Sequence, residues 1–104
     1  MPMSSEELDA VVFTAPERLL ADSRAEFRKA ALEALERAVA NGATAFAIDL
    51  SETTEVDASG LGILVLVQKR AKERGVAVKL LHVPTQVRYL LTLTKLDHLF
   101  EHDA

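Results

Sequence analysis

Apolar positions fall into alternating short runs and helical stripes. Ala10 to Thr14 is a brief β-branched, apolar stretch that predicts a strand, and Leu19-Leu20 predicts a second, shorter one beyond Pro16. Asp22 and Ser23 open a helix, and Ser23-Arg24-Ala25-Glu26 fits a Ser-x-x-Glu capping box. Phe27, Ala31, Leu32, Leu35 and Val39 then form one apolar stripe, with Glu33 and Arg37 placed to pair on the outer face. Asn41-Gly42 ends that helix near Ala40, because glycine tolerates a left-handed turn. Ala45 to Leu50 is apolar until Asp49, the mark of a strand that is central in its sheet or covered on both faces. A polar loop, Ser51 to Asp57, leads into a second helix that starts near Ala58-Ser59 and ends before Gly75. Val76 to Val83 predicts another strand and Pro84 the first turn of a third helix, whose core face is Val87, Leu90, Leu91 and Thr94. Leu96, Leu99 and Phe100 should pack back on the domain. Strands alternating with helices predict an α/β fold with parallel pairs.

Composition narrows the function. The chain has 104 residues, the length of a single domain over residues 1–104 with its core at about 10–101. It has no cysteine, which excludes disulfides, thiolate metal sites and thiol nucleophiles. Twelve basic residues against 16 acidic ones give a net charge of −4, the wrong balance for gripping phosphate backbones, so no nucleic-acid partner is expected. Aromatic residues make up 5% and tryptophan is missing, leaving few platforms for stacked bases. Met1 to Glu7 is polar and acidic, unlike a secretory leader. The longest apolar run, Leu61 to Val67, is far short of the roughly 20 residues that a membrane span needs. A cytoplasmic location without direct membrane insertion is expected.

The chemistry-bearing segment is Ala47 to Val67. A strand ends at Asp49-Leu50, the loop follows, and a helix opens at Asp57-Ala58-Ser59-Gly60. The free N–H groups of such a start attract anions, and Asp57 beside them is favoured by the helix dipole. Gly60 and Gly62 each cost a helix about 1 kcal/mol relative to alanine. Close approach of a partner and tight internal packing both explain them. At about 100° per residue, Leu64, Val67 and Ala71 share the side that should face the sheet. Ala58, Gly62, Val65 and Lys69, with Leu66 beside them, fall opposite and form a candidate docking stripe. On that assignment Val65→Glu weakens partner binding with little effect on stability.

Ile48-Asp49-Leu50-Ser51 followed by Val56-Asp57-Ala58-Ser59-Gly60-Leu61-Gly62 resembles the STAS domain of anti-sigma factor antagonists. The Gly75-Val76 strand entry, the Val83 to Val87 helix entry and Leu96-x-x-Leu99-Phe100 fit the same pattern, so the likeness spans roughly residues 10 to 101. The resemblance implies a mixed four- to five-stranded sheet covered by helices, no catalytic residues, no cofactor and no metal. The resemblance and the helical wheel together give an expected partner-binding surface of Asp22, Asp57, Ala58, Ser59, Gly60, Gly62, Val65, Leu66 and Lys69. In such proteins a kinase-type anti-sigma factor is bound directly and phosphorylates a hydroxyl just after the aspartate, which adds nearly two charges and ends binding. Here that position is Ala58, with no hydroxyl, and Ser59 next to it is either a helix cap or a shifted phosphoacceptor. The resemblance therefore implies an antagonist whose switch is altered, or an accessory subunit of a lipid-transporting ABC ATPase, or a non-phosphorylated signalling scaffold. Self-association as a homodimer is left open. Upstream, Pro16-Glu17-Arg18 stands where the family often has a glycine, while Asp22 matches a family aspartate, with helix capping as its plainer role.

Other constellations weigh less. Asp22, Asp49 and Asp57 at strand ends could hold Mg²⁺, but turn and cap roles explain them better. His98 and His102 at helical spacing lack a third zinc ligand, and His82 belongs to a strand. Gly60-Leu61-Gly62 lacks the lysine of a nucleotide loop. Lys69, Arg70, Lys72 and Arg74 form a basic helix end suited to the dipole or to steering an acidic partner.

Overall fold

The structure is a computed structural model that describes residues 10–102. Strands β1 (Ala10–Thr14), β3 (Ala45–Asp49), β5 (Ala77–Leu81) and β6 (Glu101–His102) form one sheet in the order β1-β3-β5-β6. Every pairing in it is parallel. Helices α1 (Arg24–Ala40), α2 (Ala58–Glu73) and α3 (Thr85–Leu93) make the crossovers. Each crossover steps one strand along in the same direction, so crossovers of the usual right hand put these three helices on one face.

Burial follows that layering. Phe46, Ile48, Val78 and Leu80 point into the helical layer and are buried, and Phe13 stacks on Phe46 and on Phe27 of α1 with ring centroids 6.3 Å apart. β3 is apolar because it is central, flanked by β1 and β5. Its other face carries Ala45, Ala47 and, at the strand end, Asp49, and Ala47 sits between its register partners Val12 and Lys79. Val12 on that face is 56% exposed, with none of the three crossover helices covering it.

Two features depart from the sequence pattern. Ser23 does not cap α1 through a capping box. Its hydroxyl accepts from the Leu20 N–H (3.2 Å) and donates to the Arg18 carbonyl (2.9 Å), closing a 3-10 turn at Ala21–Ser23 ahead of the helix. Asp22 lies in that turn, and its carboxylate meets Arg18 where a helix-capping role was expected. Glu33 and Arg37 do not pair among the described residues; the ion pair on α1 is Glu36 with Arg74, 2.9 Å away just past the end of α2.

A second, two-stranded parallel sheet was only half legible. β2 (Arg18–Leu19) pairs with β4 (Glu55–Val56). It anchors the loop before α2: Thr53 is buried and donates its hydroxyl to the Pro16 carbonyl at 2.9 Å, and Asp57 N–H donates to the Leu19 carbonyl at 3.1 Å. After β5 the chain turns through His82 in the left-handed region (φ 52°), so this histidine lies just beyond the strand. Pro84 is the N-cap of α3 and not its first turn. Val87 and Leu91 are buried, whereas Thr94 is exposed and donates its hydroxyl to the Leu90 carbonyl. Leu96, Leu99 and Phe100 do pack on the core.

Candidate functional site

The start of α2 is built by Asp57. Its backbone is extended, and its Oδ1 accepts from the Gly60 N–H at 3.1 Å, capping the helix. Its Oδ2 accepts from the Ala21 N–H at 3.0 Å, tying the helix to the 3-10 turn. These N–H groups, Gly60 first, hold the carboxyl below the ordinary aspartate range, against a smaller opposing effect of desolvation. A depressed folded-state pKa means that the charged form stabilises the fold above the ordinary aspartate range, and that this is lost as pH falls through the folded value. Asp57→Asn should therefore lower the urea midpoint at neutral pH, with the gap to wild type closing in acid. A gap independent of pH would contradict this role.

Capping by Asp57 removes the capping role from Ser59, which is half-buried on the first turn of α2. Ser59 lines an open cleft of about 480 Å³ together with Arg24, Arg28, Ala58, Gly62 and Ile63.

The two glycines have different jobs. Gly60 is buried, and a Cβ there would overlap the Leu19 carbonyl oxygen and lie 2.6 Å from the Leu19 Cβ. It permits α2 to touch β2, so it is removed from the docking surface. Gly62 is exposed and a Cβ there would meet open space.

Ala58 and Lys69 are exposed, as the helical wheel requires, and Leu64, Val67 and Ala71 are fully buried. Val65 and Leu66 depart from the wheel: both are half-buried and pack on the core. The reason is that α2 is the middle helix, contacting both α1 and α3 as well as β5, so its buried arc is wider than the sheet alone would demand. Val65→Glu would consequently disturb the core too. Gln86 at the start of α3 reinforces the region by donating to the Val56 carbonyl at 3.4 Å.

Asp22 is exposed beside this start and pairs with Arg18 at 3.3 Å, while Arg18 also meets Glu55 at 3.2 Å. Half-exposed pairs of this kind contribute at most about 1 kcal/mol. Asp49 accepts from the Ser51 N–H at 2.9 Å in a local turn. The three aspartates thus each have separate local partners, and among the described residues no three His, Asp or Glu side chains gather as a metal site. His98 lies in a 3-10 turn (Asp97–Leu99) and His102 in β6, so they do not share a helix face. No helix among the described residues is long and apolar enough to cross a membrane.

The described residues thus combine a parallel sheet, three crossover helices and a capped helix start knitted to a small second sheet. The family described as "Mlab, STAS domain" matches residues 3–101, and the chain belongs to it. Solved structures agree on the fold. TM1081 of Thermotoga maritima, a candidate anti-sigma factor antagonist, superposes with a TM-score of 0.74 at 23% identity, covering 92% of this chain and 80% of that one. A sulfate transporter family protein from Wolinella succinogenes gives 0.67 at 19% identity, covering 91% and 79%. The phosphorylated form of the Bacillus cell fate determinant SpoIIAA gives 0.64 at 16% identity, covering 99% and 88%. No protein of curated function matches the chain.

Proposed function

We propose that this chain is a non-enzymatic, cytoplasmic docking module of the anti-sigma factor antagonist kind, engaging a kinase-type anti-sigma factor through the exposed start of α2. The observation that carries the reading is Ala58, an exposed, hydroxyl-free residue at the first position of the helix. Asp22, Asp57, Ser59 and Gly62 belong to the same end of the surface, Lys69 lies about three turns further along the helix, and Val65 and Leu66 form a partly covered apolar flank. Gly60 supports the surface from beneath. A side chain that cannot accept phosphate leaves nothing at that position to repel the partner, so docking is constitutive.

The test is to mix the chain with a kinase-type anti-sigma factor from its host and ATP, then measure binding by calorimetry and the intact mass of the chain. Binding without gain of mass is expected. A phosphate on Ser59 would replace constitutive docking by a shifted switch, and absence of binding would remove the reading.

A second reading is favoured by the description of the matched family together with the missing hydroxyl: an accessory subunit docked on the ATPase of a lipid-transporting system. It is distinguished by co-purification with a nucleotide-binding subunit in place of the kinase.

A further inference from the structure

We infer that the cleft between α1 and α2, walled by Arg24 and Arg28, receives a carboxylate side chain from an acidic segment of a protein partner. The inference deepens the docking reading above and rests on it for the claim that the occupant belongs to a protein.

Arg24 and Arg28 are one turn apart on α1, both exposed, and both line the cleft whose opposite wall is Ala58, Ser59, Gly62 and Ile63. Among the described residues neither arginine forms an ion pair; the paired arginines are Arg18 and Arg74. In a chain with a net charge of −4, two exposed guanidinium groups one turn apart, without an ion pair among the described residues, are a local concentration of positive charge on the docking surface. A guanidinium presents a planar fork that matches a carboxylate with two parallel hydrogen bonds.

The small wall opposite decides what can enter. Gly62 offers open space where a side chain would stand, and Ala58 adds only a methyl group, so a partner's backbone can approach closely enough for a short acidic side chain to reach in. The axial anion seat of α2 is already taken, since Asp57 accepts the Gly60 N–H. A free phosphate would therefore meet a carboxylate at the helix tip and gain nothing from the helix end. A singly charged side chain tethered to a docked segment, reaching the arginines from the side, meets less repulsion. Charge complementarity thus selects a glutamate- or aspartate-bearing protein segment.

The test uses the isotopically labelled full chain and three probes followed by NMR: a short flexible peptide carrying two glutamates, its glutamine counterpart, and inorganic phosphate. The glutamate peptide should shift the Arg24 and Arg28 side-chain Nε–H signals and the Gly62 amide, and should bind about tenfold more tightly than the glutamine peptide. Raising the salt should erase the difference. The double variant Arg24→Gln/Arg28→Gln should lose the discrimination while melting like wild type, because both side chains are exposed. Equal binding of the two peptides would overturn the inference, and so would phosphate shifting the same signals as strongly as the glutamate peptide. Peptide discrimination alongside failure to bind the kinase-type partner would instead strike at the functional reading. Kinase binding with no peptide discrimination would strike at the cleft alone.

Discussion

Gly60→Ala should destabilise the protein by about 3 kcal/mol, whereas Gly62→Ala, two residues on, should leave stability unchanged or raise it by up to about 1 kcal/mol. The first substitution drives a methyl group into the Leu19 carbonyl and Cβ, where backbone of β2 must move. Leu19 is 1% exposed and its strand is held to β4, so relief comes only by lifting α2 or opening the small sheet. For a domain of this size, whose whole stability is roughly 5–15 kcal/mol, that is a large share. The second substitution adds a methyl group in open space and improves helix propensity. Denaturant midpoints of the two variants check this directly. Equal losses would mean that α2 does not rest on Leu19.

Leu64→Ala and Ala58→Glu should separate stability from docking. Leu64 is fully buried in the centre of α2, and its truncation should cost about 2–5 kcal/mol with partner affinity unchanged in whatever fraction stays folded. Ala58→Glu places an acid at the exposed first turn of a helix, where the dipole tolerates it, so the melting temperature should hold. The new side chain reaches towards Arg24 and Arg28 and puts a charge where the partner sits. Affinity should fall on the order of a hundredfold. Calorimetry of binding and melting on the same two samples would show the crossed pattern. Loss of both properties in both variants would mean that the surface and the core of α2 are not separate.

Much of the fold was legible because period and punctuation agree. The α1 stripe through Phe27, Ala31 and Leu35, the Gly42 stop and the apolar β3 run each carry a signal that local physics fixes. β4 was not legible: two residues in a polar loop have no period, and they form a strand only because Arg18 and Leu19 lie alongside. The capping box at Ser23 failed because the same hydroxyl closes a 3-10 turn in place of capping α1. At the site, the wheel placed Ala58, Gly62 and Lys69 correctly from one angular period. It misjudged Val65 and Leu66 because a wheel knows nothing of flanking helices. Which glycine packs and which is free was undecidable from sequence, since the answer is the position of the Leu19 backbone. Arg24 and Arg28 were missed because their helical spacing reads as an ordinary solvated face; only the tertiary approach of α2 turns them into a cleft wall.

The most direct measurement is amide hydrogen exchange of the chain alone and with its bound protein partner. Slowed exchange should concentrate on the first turns of α2 and on the adjoining turn at Ala21–Ser23, with the outer face of the four-stranded sheet around Val12 unchanged. Protection confined to that sheet face, with the helix start exchanging as freely as before, would contradict docking through α2.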